Sequence, residues 1–184
     1  MASYTSELAY FITYHTYGTW LHGNEAGSVD SQHNIPGTPM LPSDPVQEAR
    51  VRTLMKQSAY LLDAARRECV LKTIQEVCIY RHWPLLATHV RSTHVHVVVQ
   101  ASAAPEKVMN DFKSYSSRRL AEAGFEAHNR KRWTEHGSTR YLWEPAEVEA
   151  AIQYVIHEQG EPMAWYENQE RIITPHPNPP REQG

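Results

Sequence analysis

His94-Val95-His96 runs directly into Val97-Val98-Val99. In an extended strand alternate side chains share a face, so both imidazoles project one way while Val95, Val97 and Val99 anchor the other side in a core. Two imidazoles on one rigid face can bind a single divalent cation at ~2.0–2.2 Å per nitrogen. Without a metal they would be two half-exposed histidines on an edge strand. Two donors do not complete a site, so a third must come from elsewhere. Tyr154-Val155-Ile156-His157-Glu158-Gln159 offers both a donor and a nucleophile. At ~100° per residue, Tyr154 and Glu158 lie within about 40° of each other on a helix. Val148, Ile152 and Val155 form the apolar stripe of that helix, which leaves Tyr154 on its polar flank. Gln159 falls nearer the stripe if the helix stays regular, but the last turn before Gly160 need not. A tyrosine can act as a covalent nucleophile. A free phenol titrates near pH ~10, so at neutral pH it needs a metal or a base to help.

The elements that must carry these groups can be read from local pattern. Leu8 to Thr16 is rich in aromatic and β-branched residues and reads as a strand. A glycine- and proline-rich stretch over 18–45 reads as a long loop, of a length more often functional than inert. Ser43-Asp44-Pro45 opens a helix expected over 46–57, and Asp63 caps a second expected through about Tyr80. Strands are expected over 85–90 and 94–100, joined by Arg91-Ser92-Thr93. A helix follows from Ala104-Pro105 to about Ala123, closed by Gly124. The polar, basic stretch 125–137 reads as loop and 138–143 as a short strand. Pro145 starts the last helix, which ends at His157 or Glu158. This order predicts an α+β fold with a mostly antiparallel sheet and helices on one face.

Thr16-Tyr17-Gly18-Thr19-Trp20-Leu21, the His94/His96 pair with Val95 between them, and Tyr154 with a polar residue one turn later together resemble the HUH single-tyrosine transposases. That group includes the insertion-sequence transposases acting on single-stranded DNA and the REP-associated tyrosine transposases. The likeness runs from about Tyr10 to Gly160. It implies a ferredoxin-like sheet with the histidine pair on a central strand, His94 and His96 as metal ligands, and Tyr154 as nucleophile. The third ligand would be Glu158 or Gln159. Mg²⁺ or Mn²⁺ is the implied ion, although two imidazoles could equally hold Zn²⁺. The implied reaction is cleavage and rejoining of single-stranded or hairpin DNA through a 5′-phosphotyrosine, by a monomer or a homodimer. The implied catalytic domain spans 1–162, with 163–184 a partly disordered extension.

Lys plus Arg number 18 and Asp plus Glu 21, a net charge of −3, which argues against a wholly basic nucleic-acid binder and leaves room for a local basic patch. Lys113, Arg118 and Arg119 on one helix, with Arg130, Lys131 and Arg132 in the next loop, are the candidate phosphate contacts. Tyr17 and Trp20 in the first loop are candidate DNA contacts, and Trp133 or Tyr115 could stack a base. Cys69 and Cys78 fit no common zinc spacing and no disulfide scaffold. The first residues lack a basic start followed by an apolar run, and no stretch of 18 apolar residues exists, so a cytoplasmic protein is expected. Two further readings stay open. One is a DNA-binding protein of this fold that has lost cleavage. The other is a phosphohydrolase acting on small nucleotides, whose usual second HxT or HxH motif is missing here.

Overall fold

Alternation between apolar and polar residues sets the middle of the molecule, where strands β1 (Ala9–Thr16), β2 (Leu85–Val90) and β3 (His94–Val99) lie side by side. The structure is a computed structural model that describes residues 6–19, 53, 55–171 and 173. Among these, helices α1 (Ala64–Arg81), α2 (Pro105–Glu122) and α3 (Pro145–His157) and strands β4 (Trp133–Leu142) and β5 (Ala164–Glu167) complete the fold. The strands form one antiparallel sheet in the order β4-β1-β3-β2-β5. The first four strands thus carry the ferredoxin-like order, with β3 at the centre and β5 added at one edge. The helix expected over 46–57 lies largely outside the described residues.

The helices do not all lie on one face. Tyr10, Ile12 and Tyr14 of β1 and Val95, Val97 and Val99 of β3 form one core with Val70, Ile74 and Val77 of α1 and Val108 and Phe112 of α2. The other face carries a smaller core, in which Leu86, Val98 and Leu142 meet Val148, Ile152 and Val155 of α3. The apolar stripe of α3 has to be covered too, and the α1/α2 face is already full.

Local signals explain the helix ends. The Asp63 carboxylate accepts from Arg66 N at 2.9 Å and caps α1. Pro105 and Pro145 occupy first-turn positions, where a missing N–H costs nothing. Glu144 and Glu147 form a reciprocal capping box at the start of α3.

Two expectations are corrected. β4 begins at Trp133, not at 138, and includes the segment read as loop. Most of its residues are exposed, so no apolar alternation marks it. Residues 164–167, assigned to the C-terminal extension, pair with β2 as β5. Four residues are too few to carry a periodic signal. The rest of that extension lies outside the described residues, apart from 163, 168–171 and 173.

Between β2 and β3 the chain turns in two residues. Arg91 N donates to His94 O at 2.8 Å, leaving Ser92 and Thr93 as the turn. Arg91 therefore stands opposite His94, and His89 opposite His96.

Candidate active site

The face covered by α3 is crossed by rows of side chains set by strand register. His15, His94 and Arg91 form the row nearest the turn, and Thr13, His96, His89 and Trp165 the next. Phe11 and Val98 follow. The His94 and His96 ring centroids are 4.7 Å apart, and His15 lies 5.5 Å from His94.

Each imidazole of the pair has a hydroxyl at Nδ1. Thr13 Oγ1 lies 2.8 Å from that atom of His96, and Thr93 Oγ1 lies 3.0 Å from that of His94. Burial lowers the pKa of both rings. His94 is lowered further by the Arg91 charge, and His96 falls to about 3 with His94 as the next cause. His15 is pulled down to about 4 by burial and then by His94. At neutral pH all three are therefore neutral, the form in which imidazole is a ligand or a hydrogen-bonding base.

Helix α3 brings Tyr154 to the same place. Its ring packs edge-on against His96 at 5.7 Å and against Phe11 at 5.8 Å, yet the residue keeps 40% of its surface exposed. Two other tyrosines, Tyr115 and Tyr141, lie away from this face. Tyr115 is on α2, beneath the opposite face, and Tyr141 packs edge-on against Tyr10 on that same side.

Of the two residues after the helix, the structure brings in Gln159 and not Glu158. Glu158 leaves helical geometry as the C-cap (φ −107°, ψ 15°) and is exposed. Gln159 folds back and donates from Nε2 to Tyr154 O at 3.0 Å. Its side chain lies near enough to His94 and His96 to oppose, in part, the lowering of their pKa values by burial. Among the described residues, no group of three or more His, Cys, Asp or Glu side chains could hold a metal ion. Among the described residues, a third donor to the pair would have to be of another type, and Gln159 is the polar side chain that follows α3 there.

The sequence pattern passes over His15 and His89, and the register shows why. His15 faces His94 only through β1–β3 pairing, between strands far apart in the chain. His89 is fully buried. Met163 N donates to its Nε2 at 3.1 Å, so Nδ1 carries the proton and donates to Val155 O at 2.9 Å. One imidazole thus fastens α3 and the segment after it to the sheet. A two-residue turn before the HxH would have shown His89 and Arg91 as its cross-strand partners.

The candidate DNA contacts divide. Lys113 and Arg132 are corrected: they are 7% and 2% exposed. The Lys113 ammonium donates to the carbonyls of Thr134, Glu135 and His136, and Arg132 donates to those of Glu126, Ala127 and Arg130. Arg119 is exposed but paired with Glu76 and Glu122. Arg118 lies over the Tyr115 ring on α2. Lys131 is exposed over the Tyr17 ring, and Arg130 lies over Tyr60, bonded to Gln57 and Ser58. Lys131, Tyr17, Arg130 and Tyr60 share the turn end of the sheet, where Thr16 N donates to Thr93 O and Leu62 N to Ser92 O. Trp133 points inward and donates to Lys113 O and Ser117 Oγ. Trp20 lies outside the described residues.

No curated protein matches the chain. A family model described as "Transposase IS200 like" matches residues 48–157. Among solved structures, the chain is similar to a REP-associated tyrosine transposase bound to a REP hairpin. That match has 10% identity and a TM-score of 0.47, and covers 86% of this chain and 70% of the other. It is also similar to a Deinococcus radiodurans R1 protein provisionally classed as a transposase, at 15% identity and a TM-score of 0.42, covering 86% and 95%.

Proposed function

The chain belongs to the family of IS200-like transposases, and from that membership we propose that it cuts and rejoins single-stranded or hairpin DNA in a metal-dependent reaction with Tyr154 as nucleophile. One observation carries the reading: the Tyr154 ring packs against His96, beside His94, on one sheet face, with Gln159 bonded to the Tyr154 carbonyl.

The donor set fits a divalent cation. The hydroxyls at Nδ1 orient both rings and leave Nε2 of each for a ligand bond, as outer partners of metal-binding histidines commonly do. His94, His96 and Gln159 would hold Mg²⁺ or Mn²⁺. When bound, such an ion polarises the scissile phosphate and offsets charge in the transition state.

The protein's own groups do the rest. Phe11 and His96 wall the Tyr154 ring on two sides, which restricts its orientation before substrate arrives. Tyr154 Oη attacks phosphorus, the P–O3′ bond breaks, and the strand's 5′ phosphate stays on the tyrosine while a 3′-OH departs. The phenolic proton is lost to a base or to solvent. Attack by a 3′-OH reverses these steps and frees the tyrosine. One phosphodiester is exchanged for another, so joining needs no ATP.

The test is incubation with a hairpin oligonucleotide and Mn²⁺ or Mg²⁺, followed by denaturing electrophoresis. A covalent protein–DNA adduct is expected, absent with a chelator and absent in Tyr154→Phe. An adduct that persists in the variant would remove Tyr154 from its role. Tight binding with no adduct would leave a DNA-binding protein of this fold.

A further inference from the structure

Arg91 sits on the site face in a position the proposed reaction does not use. The two-residue turn sets it directly across from His94, and cross-strand partners in such a pair have Cβ atoms ~4.5–5.5 Å apart. The guanidinium reaches over the end of α3: one Nη donates to the carbonyl of Glu161, and the other lies 3.8 Å from where a Cβ on Gly160 would stand.

Four described arginines have no ion-paired carboxylate: Arg67 donates to Leu62 O, Arg118 lies over Tyr115, Arg130 donates to Gln57 and Ser58, and Arg91 alone of the four lies on the site face. Arg66, Arg81, Arg119, Arg132, Arg140 and Arg171 are each paired with carboxylates. Among the described residues Arg91 has no acidic partner within ion-pair distance, although it is half-buried. A guanidinium carries five donors in a planar fork. One is used on a backbone carbonyl, and the rest stay available to an anion lying over His94. Half-burial strengthens such an interaction relative to one in open water.

We infer that Arg91 is a phosphate-binding residue of this site, donating to a backbone phosphate of the DNA strand held against His94 and His96. The inference rests on the proposed reaction for its ligand. Arginine suits the task because its fork matches two phosphate oxygens at once. On a chain of net charge −3, an unneutralised cation inside the site also helps admit a polyanion that the average surface repels.

The experiment measures binding of a single-stranded hairpin oligonucleotide across a salt series, in a Tyr154→Phe background so that no strand is cut. For every phosphate that the protein no longer neutralises, the slope of log K against log salt should fall by about 0.7. Arg91→Gln is expected to show that reduction and to bind roughly tenfold more weakly at 0.1 M salt, as removal of one charged hydrogen bond predicts. Arg91→Lys keeps the charge and should keep the slope. If Arg91 only ties down the end of α3, Arg91→Gln will melt earlier with an unchanged slope, and the inference falls. It falls equally if the oligonucleotide does not bind. In parallel, the adduct formed by the chain with Tyr154 intact reports on the proposed reaction. Absence of that adduct with an altered Arg91→Gln slope would sink the reaction and leave the phosphate interaction standing.

Discussion

Lys113 shows how one side chain can mislead. On a helix with Arg118 and Arg119 it reads as part of a basic face, yet its ammonium is turned inward onto three carbonyls of β4. Among the described residues, only the His136 carbonyl of the three has a second side-chain donor, the Thr134 hydroxyl at 2.9 Å. Lys113→Met should therefore lower unfolding free energy by on the order of 2 kcal/mol, measured by urea denaturation, and leave the salt slope of DNA binding untouched. A variant that stays stable but binds DNA with a shallower salt slope would restore the surface reading. Residue type and spacing are enough to put His94 and His96 on one strand face and Tyr154 on the polar flank of a helix, because a strand and a helix have fixed periods. They cannot choose between Glu158 and Gln159. That choice depends on α3 stopping at His157, after which side-chain direction no longer follows ~100° per residue. Nor can they show His15, whose proximity to His94 exists only once β1 and β3 have paired.

Strand β4 is the element that local pattern describes least well. Its exposed middle offers no alternation, and Gly137 within it looks like a loop residue. The structure gives that glycine a different reason. A Cβ there would lie 2.6 Å from Thr13 O and 2.5 Å from Met109 Sδ, because β4 and β1 approach closely beside the register shift near Tyr14. Met109 could swing aside, but the Thr13 carbonyl is backbone and cannot. Gly137→Ala is expected to cost about 1–3 kcal/mol, read as a lower melting temperature. A neutral outcome would mean that β4 slides outward freely. Apart from β5, the other described elements are plain from the sequence within a residue or two, because of local punctuation such as Asp63, Pro105 and Pro145 at helix starts and Gly124 after α2. What the punctuation cannot say is on which side α3 packs.

At the scale of the whole molecule, the buried histidines tie stability to pH. In an unfolded chain they titrate near pH ~6.5. In the fold, His15 is lowered to about 4 and His96 to about 3, and His89 is lowered as well, in each case chiefly by burial. Well above pH ~6.5 both folded and unfolded states are neutral at these rings, and the stability is whole. As pH falls from there through about 4 toward 3, the unfolded chain takes up protons that the fold refuses, so stability is lost across that window. The metal-free protein should melt earlier at about pH 5 than at about pH 7.5, and His15→Gln should narrow the gap. An equal gap in that variant would show that other groups govern acid sensitivity. The turn at Ser92-Thr93 has a consequence of another kind. It is a phase lock: every side chain from His94 to Val99 owes its side of the sheet to the pairing that this short link closes. An added residue has two fates: it is taken up in a three-residue turn that still closes on the Arg91/His94 pair, or the pairing slips by one and both imidazoles turn toward the α1 and α2 side chains.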